Sequence, residues 1–253
     1  TNPPWSEITS ASTVQFIKDG GDSNVSLALV RAEDFCQVSP TLVTSRHVVD
    51  SAVFGTNSGS ETALTDFPYS ASGTTPTEHS LAIAHSAIGS TWGLGYSRTT
   101  DQLYTAAFMK RFSSYGPGGT GAIYQITREP APGQAMTYAD LNALFGPNTA
   151  GPNLHNLSAF RDYKTDAASG LNTFDAVGKT ALGGLDLSDD DLKLYVMNLY
   201  DRQLYEIPLD APPTVANIRH TPVPLNQNTL SQNGCSNPDT DIRPFAVEYY
   251  QGQ

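Results

Sequence analysis

The sequence predicts an all-β fold, and three observations point there. A hairpin-like block recurs at a fixed spacing, turn-forming residues are abundant, and apolar residues alternate in short runs instead of recurring every three or four positions. Of 253 residues only 15% are charged, while Gly and Pro number 21 and 17. That balance, with Tyr and Phe outnumbering Met and Trp, suits a β-rich extracellular or periplasmic protein.

The repeat carries the architecture. WGLGYSRTTDQLYTAAF, from Trp92 to Phe108, aligns without a gap on GGLDLSDDDLKLYVMNL, from Gly183 to Leu199, at an offset of 91 positions. In each copy, alternation at Leu94 and Tyr96, or at Leu185 and Leu187, predicts a half-buried strand. Thr99-Thr100-Asp101, or Asp189-Asp190-Asp191, makes the turn, and Leu103-Tyr104 or Leu194-Tyr195 opens the second strand. A third strand follows at Ala122–Ile126 and at Gln203–Ile207, after a linker that is longer in the first copy, KRFSSYGPGGTG. A third copy begins at PFAVEYYQGQ, with Phe245, Val247 and Tyr249 in the places of Trp92, Leu94 and Tyr96. Copies near 92–126, 183–207 and 244–253 have the spacing of β-propeller blades with insertions. The expected fold is therefore a β-propeller, whole or partial, of four-stranded antiparallel blades in a single domain over 1–253.

The segments between the copies fill in the rest. Val25–Val30 and Thr41–Val49 read as strands and, with Leu81–Ile88, as a blade preceding the first copy. The Gly-, Ser- and Thr-rich stretch between them, GTNSGSETALTDFPYSASGTTPTEH, reads as a solvated loop. Thr137–Phe145 has a capping residue, apolar positions three and four apart and a terminating Gly146-Pro147, so a short helix is expected near 137–145. An irregular stretch to about Asp175 comes next.

Charge and cysteine usage bound the partners. A net charge of −11 disfavours nucleic acid, whose phosphates would be repelled. Apolar runs long enough for a membrane helix are missing, and TNPPWSEITS lacks the basic and apolar regions of a signal peptide, so a mature or trimmed chain without membrane insertion is expected. Cys36 and Cys235 read either as one long-range disulfide or as two unrelated buried thiols. Asn24-Val25-Ser26 and Asn156-Leu157-Ser158 match the glycosylation pattern, at a frequency that chance explains.

The blocks AAFMKRFSSYGPGGTGAIYQI, DLNALFGPNTAGPN and FDAVGKTALGGLDLSDDDLKLYVMNLYDRQLYEIPL resemble the β-propeller module of large bacterial cell-surface proteins that carry adhesin-type B repeats or Ig-like modules. The resemblance is strongest from about Thr91 to Leu209. It implies a propeller fold and a surface location, supplies no catalytic residues, and implies a native polypeptide that continues past Gln253.

Enzymatic constellations find little support. Thr44-Ser45-Arg46-His47-Val48-Val49 faintly resembles the histidine segment of trypsin-like proteases, but no Gly-Asp-Ser-Gly segment follows and a strand histidine is the better reading. Gly21-Asp22-Ser23 reads as a Gly-rich turn because no Asp-x-x-His supplies a base. Metalloprotease, phosphate-loop and Gly-x-Ser-x-Gly patterns are missing. Asp186, Asp189, Asp190 and Asp191 are the densest carboxylates and a candidate clamp for calcium, set against a solvated hairpin turn. Lys110, Arg111, Phe112 and Tyr115 sit on the Gly-Pro-framed linker and are the candidate ligand-binding group. Trp92, Tyr96, Tyr104 and Tyr195 are expected to pack between blades. The expected role is a non-enzymatic surface scaffold or interaction module that meets a protein or glycan and supports adhesion or assembly. The competing readings are a propeller enzyme acting on extracellular carbohydrate and a fibre subunit that self-associates through open sheet edges.

Overall fold

The fold was obtained as a computed structural model that describes residues 5–7, 29–31, 40–50, 58–73, 81–128, 133–155, 173–225 and 242–250. The chain divides into two compact units, Thr1–Leu42 with Phe67–Thr77, and Val43–Asp66 with Glu78–Gln253. In the first unit, β1 (Trp5–Glu7) and β2 (Leu29–Arg31) form an antiparallel ribbon in which Trp5 faces Arg31.

Three further sheets are antiparallel. The smallest orders β3 (Thr41–Ser45), β4 (Thr62–Pro68) and β5 (Ala82–Ala84). The next runs β6 (Thr91–Ser97), β7 (Gln102–Ala107), β8 (Ala122–Thr127) and β9 (Gln134–Asp140) in chain order. The last repeats that meander with β10 (Leu182–Leu187), β11 (Lys193–Asn198), β12 (Gln203–Pro208) and β13 (Arg219–Pro222). The described residues are mostly β with few helices, as expected from the alternating pattern.

The offset read from the sequence is a structural equivalence. Leu94 pairs with Thr105 and Leu185 with Val196, Thr91 with Ala107 and Leu182 with Asn198. Each first hairpin slips register at the same place, between Thr91 and Leu94 or between Leu182 and Leu185. The backbone closes identically beyond it, Phe108 N donating to Ser90 O and Leu199 N to Ala181 O. The two copies thus occupy like positions in separate sheets.

The central strands β7 and β8 are buried on both faces, so successive residues, which point to opposite sides of the sheet, enter different cores. Leu103, Ala107, Tyr124 and Ile126 join a core with Leu64, Leu81, Ile83 and Ile88. Their neighbours Tyr104, Ala106 and Ile123 face the other way, into a core with Leu182, Leu185, Leu194, Val196 and Ile207. At about 25 cal/mol per Å² of apolar surface removed from water, these two layers are the main stabilising term. Residues 242–250 have irregular backbone but lie along β10, with Gly184 N donating to Phe245 O at 2.7 Å and Tyr249 N to an Asp186 carboxylate oxygen at 2.7 Å.

Three local expectations are corrected. The helix placed at 137–145 is only Leu141–Phe145 (α2), because Thr137 to Asp140 instead pair with β8, and Asp140 caps the helix by accepting from Asn142 N at 2.9 Å. The solvated loop contains β4, whose Ala63–Asp66 are buried against the first core. The blade expected from Val25–Val30, Thr41–Val49 and Leu81–Ile88 is instead the sheet of β3, β4 and β5, since Leu29–Arg31 pairs with β1 and Leu81–Ile88 supplies β5 and then the helical turn α1 (His85–Ile88). Short apolar runs carry no periodicity that separates these choices.

Candidate functional site

The linker between β7 and β8 carries the site. It leaves the sheet through a tight turn, with Ser113 N donating to Lys110 O at 3.1 Å, and Phe112 takes a positive φ of 64°. For so bulky a side chain that conformation is an outlier, costing on the order of 1–3 kcal/mol. The turn sets Arg111 against aromatic rings. Its guanidinium carbon stands 5.8 Å from the Phe112 centroid and 4.9 Å from that of Phe174, in α3 (Thr173–Ala176). Lys110, Arg111, Phe112, Phe174 and Val177 line a pocket of about 440 Å³, within the roughly 300–1,000 Å³ typical of ligand sites. Phe174 is 58% exposed.

Of the four residues expected to bind, the structure gathers Lys110, Arg111 and Phe112 and leaves Tyr115 outside the pocket lining. The Tyr115 hydroxyl donates to Met109 Sδ at 3.2 Å, and its ring meets His155 edge-on at 5.0 Å. Phe174 and Val177 were missed, since nothing in Thr173-Phe174-Asp175-Ala176-Val177 announces a partner more than sixty positions upstream.

Two histidines buttress the linker. Asp50 N donates to Phe112 O at 2.7 Å, and Ser90 N to Ser114 O at 2.9 Å. Ser114 Oγ donates to an Asp50 carboxylate oxygen at 2.7 Å and lies 3.2 Å from His85 Nε2. The single hydroxyl proton is committed to Asp50, so Nε2 must be the donor and Nδ1 the bare nitrogen. Nδ1 is buried and has no hydrogen-bond partner among the described residues. Burial holds the His85 pKa below its ordinary 6.5, outweighing Asp50 and Glu61. This order of groups is not a hydrolytic triad, in which the histidine would take the serine proton. His47 lies just past β3, where the sequence suggested a strand histidine. Its Nδ1 is 3.2 Å from Ser90 Oγ, its ring stacks on Trp92 at 6.4 Å, and burial and then Lys110 lower its pKa.

The remaining candidates are dispersed. Asp186 accepts from Tyr249 N, Asp191 Oδ2 accepts from Thr99 N and Oγ1 at 2.9 Å each, and Asp189 is exposed. Asp190 accepts from Ser188 Oγ and Leu192 N, which holds its carboxyl below the ordinary range. Among the described residues no group of three or more His, Cys, Asp or Glu side chains is placed to hold a metal ion. Trp92, 47% exposed, meets Phe108 at 5.5 Å and Phe245 at 5.8 Å, while Tyr195 stacks on Tyr249 at 5.4 Å and Tyr104 is buried. At the sheet edge, β13 is exposed throughout and carries Arg219 and Pro222, residues that discourage strand addition. Cys36, Cys235, Gly21-Asp22-Ser23, Asn24 and Asn156 lie outside the described residues. No described helix is long and apolar enough to cross a membrane.

Comparison with known proteins corrects the lineage. The chain is similar to colossins of Dictyostelium discoideum: 29% identical to Colossin-D over 236 residues, covering 89% of this chain and 22% of that protein. Identity to Colossin-A is 27% over 235 residues, covering 89% of the chain and 2% of Colossin-A. Identity to Colossin-C is 27% over 170 residues, covering 67% and 15%. The chain therefore spans about a fifth or less of the length of these relatives. No protein-family model matches it. These relatives are eukaryotic, so the resemblance to a bacterial surface module is overturned. The blocks that suggested it are strand alternation, Asp-rich turns and repeated Leu-Tyr pairs, which are demands of a β-meander and not marks of a lineage.

Proposed function

We propose that this chain is a non-enzymatic interaction module of a larger exported protein, built of propeller-type blades, whose binding site takes a carboxylate-bearing group of a cell-surface protein or glycan. The blade reading is supported by identical hairpin registers 91 positions apart and by the way β10 lies along β6 and residues 245–249 lie along β10. The great length of the colossin relatives suits a module in a longer polypeptide.

The observation that carries the binding role is the pocket, where two cations stand among Phe112, Phe174 and Val177. On a chain of net charge −11, such a spot attracts a single acidic group while the rest of the surface repels long polyanions. The test is retention of the protein on a panel of uronate- or sialate-bearing glycans, acidic peptides and neutral counterparts. Acidic members should bind, and Lys110→Ala or Phe174→Ala should each weaken binding about tenfold or more. Equal binding of neutral members, or indifference to both substitutions, overturns the reading, and cleavage of a panel member would put an enzyme in its place.

A further inference from the structure

We infer that His85 is a positioning residue for the binding linker: its neutral imidazole, acting through Ser114 and Asp50, holds the turn that presents Lys110, Arg111 and Phe112, so that acidification releases the turn. The inference rests on the proposed binding role of the pocket only for its functional consequence. The tether itself is drawn in hydrogen bonds.

The linker is tied to its surroundings on both sides of Ser113. Phe112 O accepts from Asp50 N, Ser114 O accepts from Ser90 N, and Ser114 Oγ bridges His85 Nε2 to Asp50 Oδ2. Tyr115 continues the attachment by bridging to Gly89, the residue that ends the α1 turn begun by His85. Segment 46–50, helix α1 and the linker therefore meet at one hydroxyl. His85 is 3% exposed, and its Nδ1 has no hydrogen-bond partner among the described residues, so a proton added there brings a charge into a buried place whose desolvation outweighs what Asp50, Glu61 and the Gly89 backbone give back. The imidazolium must then draw toward water or toward Asp50, and either movement breaks the bridge through Ser114.

The groups around His85 set the sign. Asp50, on the segment after β3, and Glu61, whose backbone oxygen accepts from His85 N at 2.7 Å, both favour the charged ring, as does the backbone of Gly89 facing it. Glu61 is itself paired with Arg46 at 3.2 Å. Burial opposes all three and prevails, so the neutral ring is the folded form. Its contribution is complete above the unfolded value of 6.5 and is lost as the pH falls through the lower folded value. His47 titrates beside Lys110 and would strengthen anion binding on protonation, an opposite trend that the variants below share with the wild type.

The experiment is amide hydrogen exchange, expressed as protection factors, at about pH 7.5 and pH 4.5. Asp50 N–H reports the bond to Phe112 O, Ser90 N–H the bond to Ser114 O, and the buried amide of Val196 the stability of the whole fold. In the wild type the Asp50 and Ser90 amides should lose protection about tenfold at the lower pH while Val196 does not. His85→Gln keeps a neutral donor toward Ser114 and should hold both amides at either pH; His85→Ala should lose them at both. Protection that is flat with pH in the wild type, that falls equally in His85→Gln, or that falls together with Val196, overturns the inference. In parallel, glucuronate is titrated onto wild type and His85→Gln at both pH values. Affinity that falls with acid relative to His85→Gln is expected. If glucuronate fails to bind at either pH while the amides behave as stated, the pocket reading has failed and the tether stands; if it binds but the amides do not respond, the reverse holds.

Discussion

Gly93 packs directly against Leu185: a Cβ placed on the glycine would stand 2.6 Å from that of the leucine. One repeat later, Gly184 stands in the same relation to the chain at Phe245–Val247, where an added Cβ would meet Val247 N at 2.7 Å. Successive first strands approach this closely only because the residue inside each register slip has no side chain. Gly93→Ala and Gly184→Ala should each destabilise the fold by about 1–3 kcal/mol, the usual penalty for overpacking. Urea unfolding monitored by circular dichroism measures it. Unchanged midpoints in both variants would refute the close packing of successive copies.

The strained turn separates stability from binding. Phe112→Gly relieves a positive φ of 64° but removes an aromatic wall of the pocket. The folded state should lose less than about 1 kcal/mol or gain slightly. Retention on the acidic panel should fall about tenfold. A loss of several kcal/mol with binding preserved would mean that the ring serves packing and not recognition.

Alkali should unfold the protein through buried tyrosines. Burial pushes the hydroxyls of Tyr124 and Tyr138 up to about 12. The unfolded chain releases these protons near 10 while the folded chain keeps them, so stability is whole below about pH 10 and falls as the pH climbs toward 12. Thermal melts across this range, beside tyrosinate absorbance near 295 nm, follow the two events. Tyr124→Phe should flatten the decline even though it removes the acceptor of the Gly118 N–H.

The turn of the second copy reaches back to the first. Asp191 accepts from Thr99 N and Oγ1, both at 2.9 Å, on an exposed surface. Asp191→Ala should cost about 0.5–1.5 kcal/mol, since water replaces part of what is lost. Asp189→Ala, at an exposed neighbour, serves as the comparison and should lie within about 0.5 kcal/mol of wild type. Equal losses in the two would make the contact energetically silent.

The hairpins were legible because each first strand alternates and each turn is polar, so Leu94 to Leu103 and Leu185 to Leu194 have one interpretation. Strands β9 and β13 were not. Gln134–Asp140 mixes small, polar and aromatic residues whose spacing also suits a helix, and Arg219–Pro222 is exposed throughout, with no apolar signal to read. Of the site, Lys110, Arg111 and Phe112 were visible as cations and an aromatic on a Gly-Pro frame. Phe174 was not, because its place beside Arg111 is set by tertiary folding, and His85 lies in a run whose apolar neighbours advertise only burial. The same alternation misled as to lineage.

Ala107 and Ala122 bound a long excursion in one copy, whereas Asn198 and Gln203 bound a short one in the other, with the flanking strands in equivalent registers. That junction is thus a graft point. The interior accepts either length at this point, because the registers of the strands on both sides are kept.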